Sequence, residues 1–256
     1  MVSARGFSDW RSNDVILEPR QFFIVSGIKL RVAAMPVTVT VVPPEQIAIQ
    51  QVKAAESQRI IGFIPNFYVV YERDAVPLTP KLKFQLALRE LVDPVTILGF
   101  GINAGIDQAS GYPSYDQGAK GYFQRLGATF AGGYTNEFVG DALLPSLLHQ
   151  DPRYFYQGTG TIKSRLLHAL SSPFVTRADD GHRMINYSSI GGDLASGAVA
   201  NAYYPEQDRG PGLVFGSALI GAGGRMADAV FQEFLLRKFT SRRPPHAQSP
   251  DHVDSH

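Results

Sequence analysis

Small residues recur at intervals of four through the second half of this chain, and that spacing constrains its fold more than any other feature. Gly101 and Gly105 keep it, as do Gly127 and Ala131, then Gly192, Ser196 and Ala200, Gly212 and Gly216, and Ala218 and Ala222. Residues four apart share one face of an α-helix. Small side chains on such a face let two helix backbones approach closely. An interior glycine costs up to about 1 kcal/mol relative to alanine, so a chain that keeps this many must recover the cost through packing. The pattern predicts a mainly α fold, a compact multi-helix bundle with small-residue packing.

Punctuation sets the borders of the helices. Thr79-Pro80 and Asp93-Pro94 each put a capping oxygen before a first-turn proline, whose missing N–H costs nothing there. Helices are expected over 80–92, 94–109, 117–148, 162–175, 186–204 and 212–239, the fifth capped by Asn186. Pro145 lies inside the third and should kink or break it. Residues 177–183 read as a polar turn. Residues 45–59 carry Ile47, Ile49, Val52 and Ala55 among polar residues and read as a further helix, followed by an aromatic connector to residue 77. Upstream, 21–25, 28–32 and 37–42 are short β-branched or apolar runs. In the last, Thr38 and Thr40 alternate with valines at the period of a half-buried strand. The expected organisation is a short β region over 1–44, a linker over 45–77, a helical domain over 78–239 and a polar, disordered tail over 240–256.

Composition narrows the function classes. The 256 residues are 44% hydrophobic, enough for a sizeable core. Twenty-four Lys and Arg balance 23 Asp and Glu, so the basic face that nucleic-acid binding requires is not expected. Cysteine is absent, which excludes disulfides, thiol catalysis and cysteine-ligated zinc. The first ten residues contain Arg5 and Asp9 and no apolar h-region, so they do not read as a secretory signal. The best apolar runs, 94–106 and 211–224, are ended by Asp107 and Arg225 and fall short of the roughly 18 residues of a membrane span. Both are expected to be buried helices. Residues 121–134, rich in glycine and aromatics, also resemble an outer-membrane strand but lack its strict alternation.

Chemistry concentrates after the third helix. His149, Asp151, Arg153, Tyr154 and Tyr156 bring an imidazole, a carboxylate, a guanidinium and two phenols together. His149 and Asp151 have the types for acid–base work, and Arg153 for clamping a phosphate or carboxylate. The structural alternative is a helix cap at His149 and an ion pair for Arg153. Glu137 and Asp141, four apart, share a helix face and suit either a divalent cation or solvated and Arg-paired acids. Asp107, Asp193, Arg225 and Asp228 interrupt apolar helices. Buried charges must be paired, and Arg225 is expected to pair with Asp193 or Asp107. His168 and His182 read as structural or exposed, and His246, His252 and His256 lie in the tail. No nucleophile elbow, Walker A motif or H-E-x-x-H is present.

Taken in order, several segments resemble a family of uncharacterised bacterial secreted or envelope proteins. They are the connector from Gln58 to Tyr68, Pro77-Leu78-Thr79-Pro80-Lys81, the Asp93-Pro94 helix start, His149-Gln150-Asp151-Pro152-Arg153-Tyr154-Phe155, Tyr203-Tyr204-Pro205 and Gln232-Glu233-Phe234. The resemblance covers about residues 45–239. It implies a carboxypeptidase-regulatory-like sandwich ahead of a helical domain, and a periplasmic or outer-membrane-associated location. It assigns no catalytic residue, cofactor or metal. The expected function is that of a non-enzymatic, envelope-associated structural or interaction protein whose helical domain meets an envelope protein or a membrane surface. The alternative is a hydrolase or small-ligand-binding protein with a site around His149, Asp151 and Arg153, with Glu137, Asp141 and Tyr154 as ligand contacts.

Overall fold

In the computed structural model, which describes residues 1–4, 7–11, 16–31, 43–72 and 75–241, the chain divides into two units, Met1–Val42 and Pro43–His256. In the first, Val2 and Trp10 form an antiparallel bridge through two backbone hydrogen bonds of 2.8 and 2.9 Å. The strands expected over 21–25 and 28–32 are corrected: residues 21–31 form no ladder. Their β-branched pattern only specifies a strand when a neighbouring strand is there to pair with it. The strand expected over 37–42 lies outside the described residues.

The second unit is mainly helical. Helix α1 (Pro44–Ala55) buries Ala48, Val52 and Ala55. A connector follows with three two-residue strands, β1 (Arg59–Ile60), β2 (Ile64–Pro65) and β3 (Val69–Val70). Helix α2 (Pro80–Leu91) starts as its sequence predicts, with the Thr79 hydroxyl accepting from the Leu82 N–H at 3.4 Å. Ala48, Val52, Phe67, Leu78, Leu82 and Leu86 form a buried cluster between α1, the connector and α2. Each large apolar side chain buried there contributes about 1.5–3 kcal/mol.

Helix α3 (Pro94–Ser110) begins at Asp93, whose Oδ1 accepts from the Val95 N–H at 3.0 Å, and ends at Gly111 in the left-handed conformation. The next stretch is one continuous rod in three parts: α4 (Gly118–Asn136), a π-helical segment over Glu137–Leu143, and α5 (Leu144–Leu147). The break expected at Pro145 is displaced upstream. A proline ring clashes with the carbonyl four residues before it, and the wider π register across 137–143 accommodates it. Beyond lie β4 (Gln150–Asp151), β5 (Tyr154–Phe155), which runs parallel to β3, and α6 (Ile162–Ser171).

Helix α6 ends four residues before its expected end, because Pro173 has no N–H to continue the helical hydrogen bonds. The expected polar turn over 177–183 is the tip of a hairpin between β6 (Val175–Ala178) and β7 (Arg183–Ile185), and β4 extends that sheet along β6. Helix α7 (Tyr187–Tyr203) is capped by Asn186, which accepts from the Ser189 N–H at 3.0 Å. Helix α8 (Pro211–Phe234) stops short of the expected 239 and gives way to a 3₁₀ turn, Leu236–Lys238. Thr240–Ser241, expected to open the tail, form β8 and pair antiparallel with β1.

Helices α3, α4, α7 and α8 pack side by side. Small residues allow the closest contacts, but only some of the predicted stripe. A Cβ added to Gly192 would lie 2.5 Å from the Gly140 Cα, and one added to Gly197 would lie 2.8 Å from the Val214 Cα. Gly105, Gly127, Gly212 and Gly216 meet nothing within 4 Å. Gly192→Ala is therefore expected to lose about 1–3 kcal/mol through forced backbone shifts. Gly216→Ala is expected to gain about 0.5–1 kcal/mol from helix propensity. Opposite shifts of the unfolding midpoint in the two variants of the full chain check this.

Candidate functional site

The segment from His149 to Tyr156 is built as a fastener. His149 follows the last turn of α5 at φ 53°, the left-handed C-terminal position of a helix. Its side chain is 81% exposed, and Nδ1 sits 3.7 Å from Asp179 Oδ2. Gln150 is fully buried. Its Oε1 accepts from Ser188 N at 2.9 Å and Ser188 Oγ at 2.6 Å, and its Nε2 donates to Ile185 O at 2.6 Å. Asp151 and Arg153 are also buried, and they bond each other: Nε to Oδ1 at 2.8 Å and Nη2 to Oδ2 at 2.6 Å. The Arg153 N–H reaches the same carboxylate, and Nη2 also donates to Val76 O. Such a two-pronged pair satisfies both groups in a dry setting. The expected meeting of His149, Asp151 and Arg153 does not occur, since Asp151 is fully engaged by Arg153 and the imidazole faces solvent.

Three further charged networks hold this end of the molecule. Lys83, fully buried on α2, donates to both oxygens of Asp179 at 2.9 Å and to Pro145 O at 3.1 Å. Glu233 on α8 accepts from Tyr154 Oη at 2.9 Å, Arg165 Nε at 2.8 Å and the N–H groups of Gln157 and Gly158. Burial and then the bond to Glu233 push the Tyr154 phenol up, so it stays a donor. Nε2 of His168 lies 2.8 Å from Phe155 O; a carbonyl only accepts, so that nitrogen carries the proton. At the start of α3, burial alone would raise Asp93, but its bonds to Arg59 and Val95 N–H hold it below the usual range.

The bundle interior carries its own polar seam. Arg225 on α8 grips both oxygens of Asp193 on α7, one bond measuring 2.9 Å, and Asn136 on α4 donates to the same carboxylate at 2.7 Å. Of the two acids expected for Arg225, Asp193 is the partner; Asp107 takes a 3.3 Å bond from Asn103. Glu137 and Asp141 differ in what they face. Glu137 accepts from the Tyr68 hydroxyl, which burial and then the Glu137 and Asp141 charges push well above its ordinary range. Asp141 instead lines a cavity. Glu90 nearby is raised, first by burial. Among the described residues no three His, Asp or Glu side chains converge in a metal-binding arrangement.

That cavity, of about 280 Å³, lies between the β6–β7 hairpin, α6, the start of α7 and the middle of α8. Arg177 and Arg183 line it from the hairpin, Ser189 from α7, Asp141 from the π segment, and Arg225 and Asp228 from α8. Of the six residues expected to form a site, Asp141, Arg153 and Tyr154 reach it, while His149, Asp151 and Glu137 do not, and His168, also singled out in the sequence, lines it too. Arg177, Arg183 and Ser189 carried no signal beyond their place in a polar turn and a helix start. Comparison with models of protein families, with curated proteins and with solved structures returns no match.

The buried fork gives a direct prediction. Arg153→Met leaves Asp151 buried without its cation and is expected to cost about 3–5 kcal/mol. The double variant Asp151→Leu/Arg153→Met is expected to recover most of that loss. Chemical denaturation of the three proteins measures both, and a double variant as unstable as the single one contradicts this account of the pair.

Proposed function

We propose that α3, α4, α7 and α8 cross a lipid bilayer, and that the protein is a non-enzymatic structural or interaction component of the cell envelope. The observation that carries this reading is an inversion of the usual bundle. The buried apolar residues of these helices are mostly alanines: Ala104, Ala128, Ala200, Ala222 and Ala229, with Leu213. The large ones point outward. Leu98, Ile102, Ile106, Phe123 and Phe215 are exposed, and Leu219 and Ile220 are 74% and 78% exposed. A water-soluble bundle turns such side chains inward, whereas small residues inside and large apolar residues outside suit lipid.

Charge and the length of α8 support the same reading. Asp193 and Arg225 face each other inside the bundle. Arg125, fully buried, donates to the carbonyls of Pro113, Tyr115 and Asp116 and so ties down the α3–α4 loop. Lys120 and Asp107 lie in end turns. Ionisable residues within membrane segments are paired or inward in this way. The 17-residue helices α3 and α7 are about 25 Å long and the 24-residue α8 about 36 Å, against a hydrocarbon core of about 30 Å. Helix α8 is long and apolar enough to cross alone, and only 17% of its apolar window is buried. The loops 111–117 and 204–210 meet at one end, where Ser114 Oγ donates to Asp208 at 3.0 Å. Tyr112, Tyr115, Tyr203 and Tyr204 cluster there with ring centroids 5.5–6.4 Å apart, as tyrosines do at a membrane interface. The motif resemblance to bacterial envelope proteins adds to this reading.

The test is extraction of membranes from cells expressing the full chain. Retention through high-salt and alkaline carbonate washes, with release only by detergent, is expected; release by carbonate overturns the proposal. Leu219→Glu and Ile220→Glu serve as the second arm. A charge at the centre of a lipid-facing helix costs about 2.5–3.5 kcal/mol of insertion, so loss of the membrane-bound pool is expected. On a water-facing helix the same changes stay within about 0.5 kcal/mol and leave the protein's distribution unchanged.

A further inference from the structure

The cavity at the β6–β7 hairpin concentrates charged side chains, several of them outside any ion pair. Four guanidinium groups line it. Arg153 is held by Asp151 and Arg225 by Asp193. Arg177 and Arg183 form no ion pair among the described residues; Arg177 only stacks over the Phe155 ring at 4.0 Å. The two are directly opposite each other across the hairpin. Cross-strand partners share a sheet face, and like charges so placed repel. Among the described residues three buried side-chain atoms lack hydrogen bonds, Arg125 Nε, Ser189 Oγ and Arg225 Nε, and the last two belong to residues that line this cavity. Buried polar groups are normally satisfied, and unmet ones mark a missing partner. An anion between the hairpin and α7 would relieve the repulsion.

The same cavity also carries carboxylates. Asp141 and Asp228 line the same cavity and form no ion pair among the described residues. A bare polyanion would meet these carboxylates at a cost. A ligand with an anionic and a cationic end suits both sets of groups, and guanidinium forks favour phosphate geometry.

We propose that this cavity binds an amine-bearing phosphate ester, the chemistry of a phosphoethanolamine group, with the phosphate on Arg177 and Arg183 and the amine toward Asp141 and Asp228. The ligand chemistry stands independently of the lipid reading. Only a phospholipid as its source rests on that reading.

The test uses the full chain in a detergent free of phosphate, titrated with phosphoethanolamine and followed by calorimetry and by the thermal midpoint. Saturable binding with a raised midpoint is expected. Arg183→Gln, which removes the like-charge pair, is expected to keep or raise the ligand-free midpoint while weakening phosphoethanolamine at least about tenfold. Asp228→Asn is expected to weaken phosphoethanolamine but not inorganic phosphate. No saturable binding of phosphoethanolamine overturns the proposal, as does equal affinity in the wild type and Arg183→Gln. Phosphatidylethanolamine co-purifying with the wild type and lost from Arg183→Gln assigns the lipid source. Binding of soluble phosphoethanolamine without that lipid assigns a free metabolite, and it does so whether or not the carbonate wash releases the protein.

Discussion

The contact between Gly140 and Gly192 is the constraint on which the rest of the bundle depends. A Cβ on Gly192 would fall 2.5 Å from the Gly140 Cα, so the π segment and α7 touch backbone to backbone. Only at that spacing does Asn136 reach Asp193, and only then does Asp193 stand where Arg225 can grip it from α8. Gly221 belongs to the same arrangement, since a Cβ there would lie 2.6 Å from Asp193 Oδ1. The three helices are locked by one carboxylate, and the carboxylate is positioned by missing side chains. The π register contributes as well. It takes up the Pro145 ring and turns Glu137 toward Tyr68 and Asp141 toward the cavity, although an ideal helix would put both acids on one face.

At the opposite end, long-range hydrogen bonds replace helix packing. Gln150 joins β7 to the start of α7, and the Thr176 hydroxyl donates to Asp151 O at 2.7 Å. Lys83 holds Asp179 at the tip of the hairpin. The polar concentration that makes the His149–Tyr156 segment look catalytic is thus used for structure. Its carboxylate, guanidinium and amide each bond protein partners, while the His149 imidazole faces solvent.

What could be read in the sequence divides along the range of the interaction. The caps at Thr79, Asp93 and Asn186 were legible because a side-chain oxygen and an N–H two or three residues on make a complete unit. The mainly helical fold was legible for the same reason, as was the need of Arg225 for an acid. The β6–β7 hairpin was not, because its strands are three and four residues long and owe their place to β4 and Gln150. The small-residue stripe was legible as a pattern but not as contacts. Gly192 and Gly216 look alike in sequence, and only the packing of neighbouring helices separates a backbone contact from open space. The candidate site was the least legible part. Arg177 and Arg183 matter through their cross-strand register, and Ser189 through burial, neither of which a local pattern encodes.

Charge pairing links the two ends of the molecule. Almost every buried ionic group has found a partner: Lys83 with Asp179, Arg153 with Asp151, Arg165 with Glu233, Arg225 with Asp193. Set against these pairs, Arg177, Arg183, Asp141 and Asp228 lie around one cavity without one. The hairpin that carries Arg177 and Arg183 is fastened along β4, at its tip and at its exit into α7. Its two arginines are therefore held in cross-strand register before any ligand arrives, and the cost of bringing like charges to facing positions has already been met in folding. An anion entering between them would gain both bonds without that cost, which is the energetic advantage of a preorganised site.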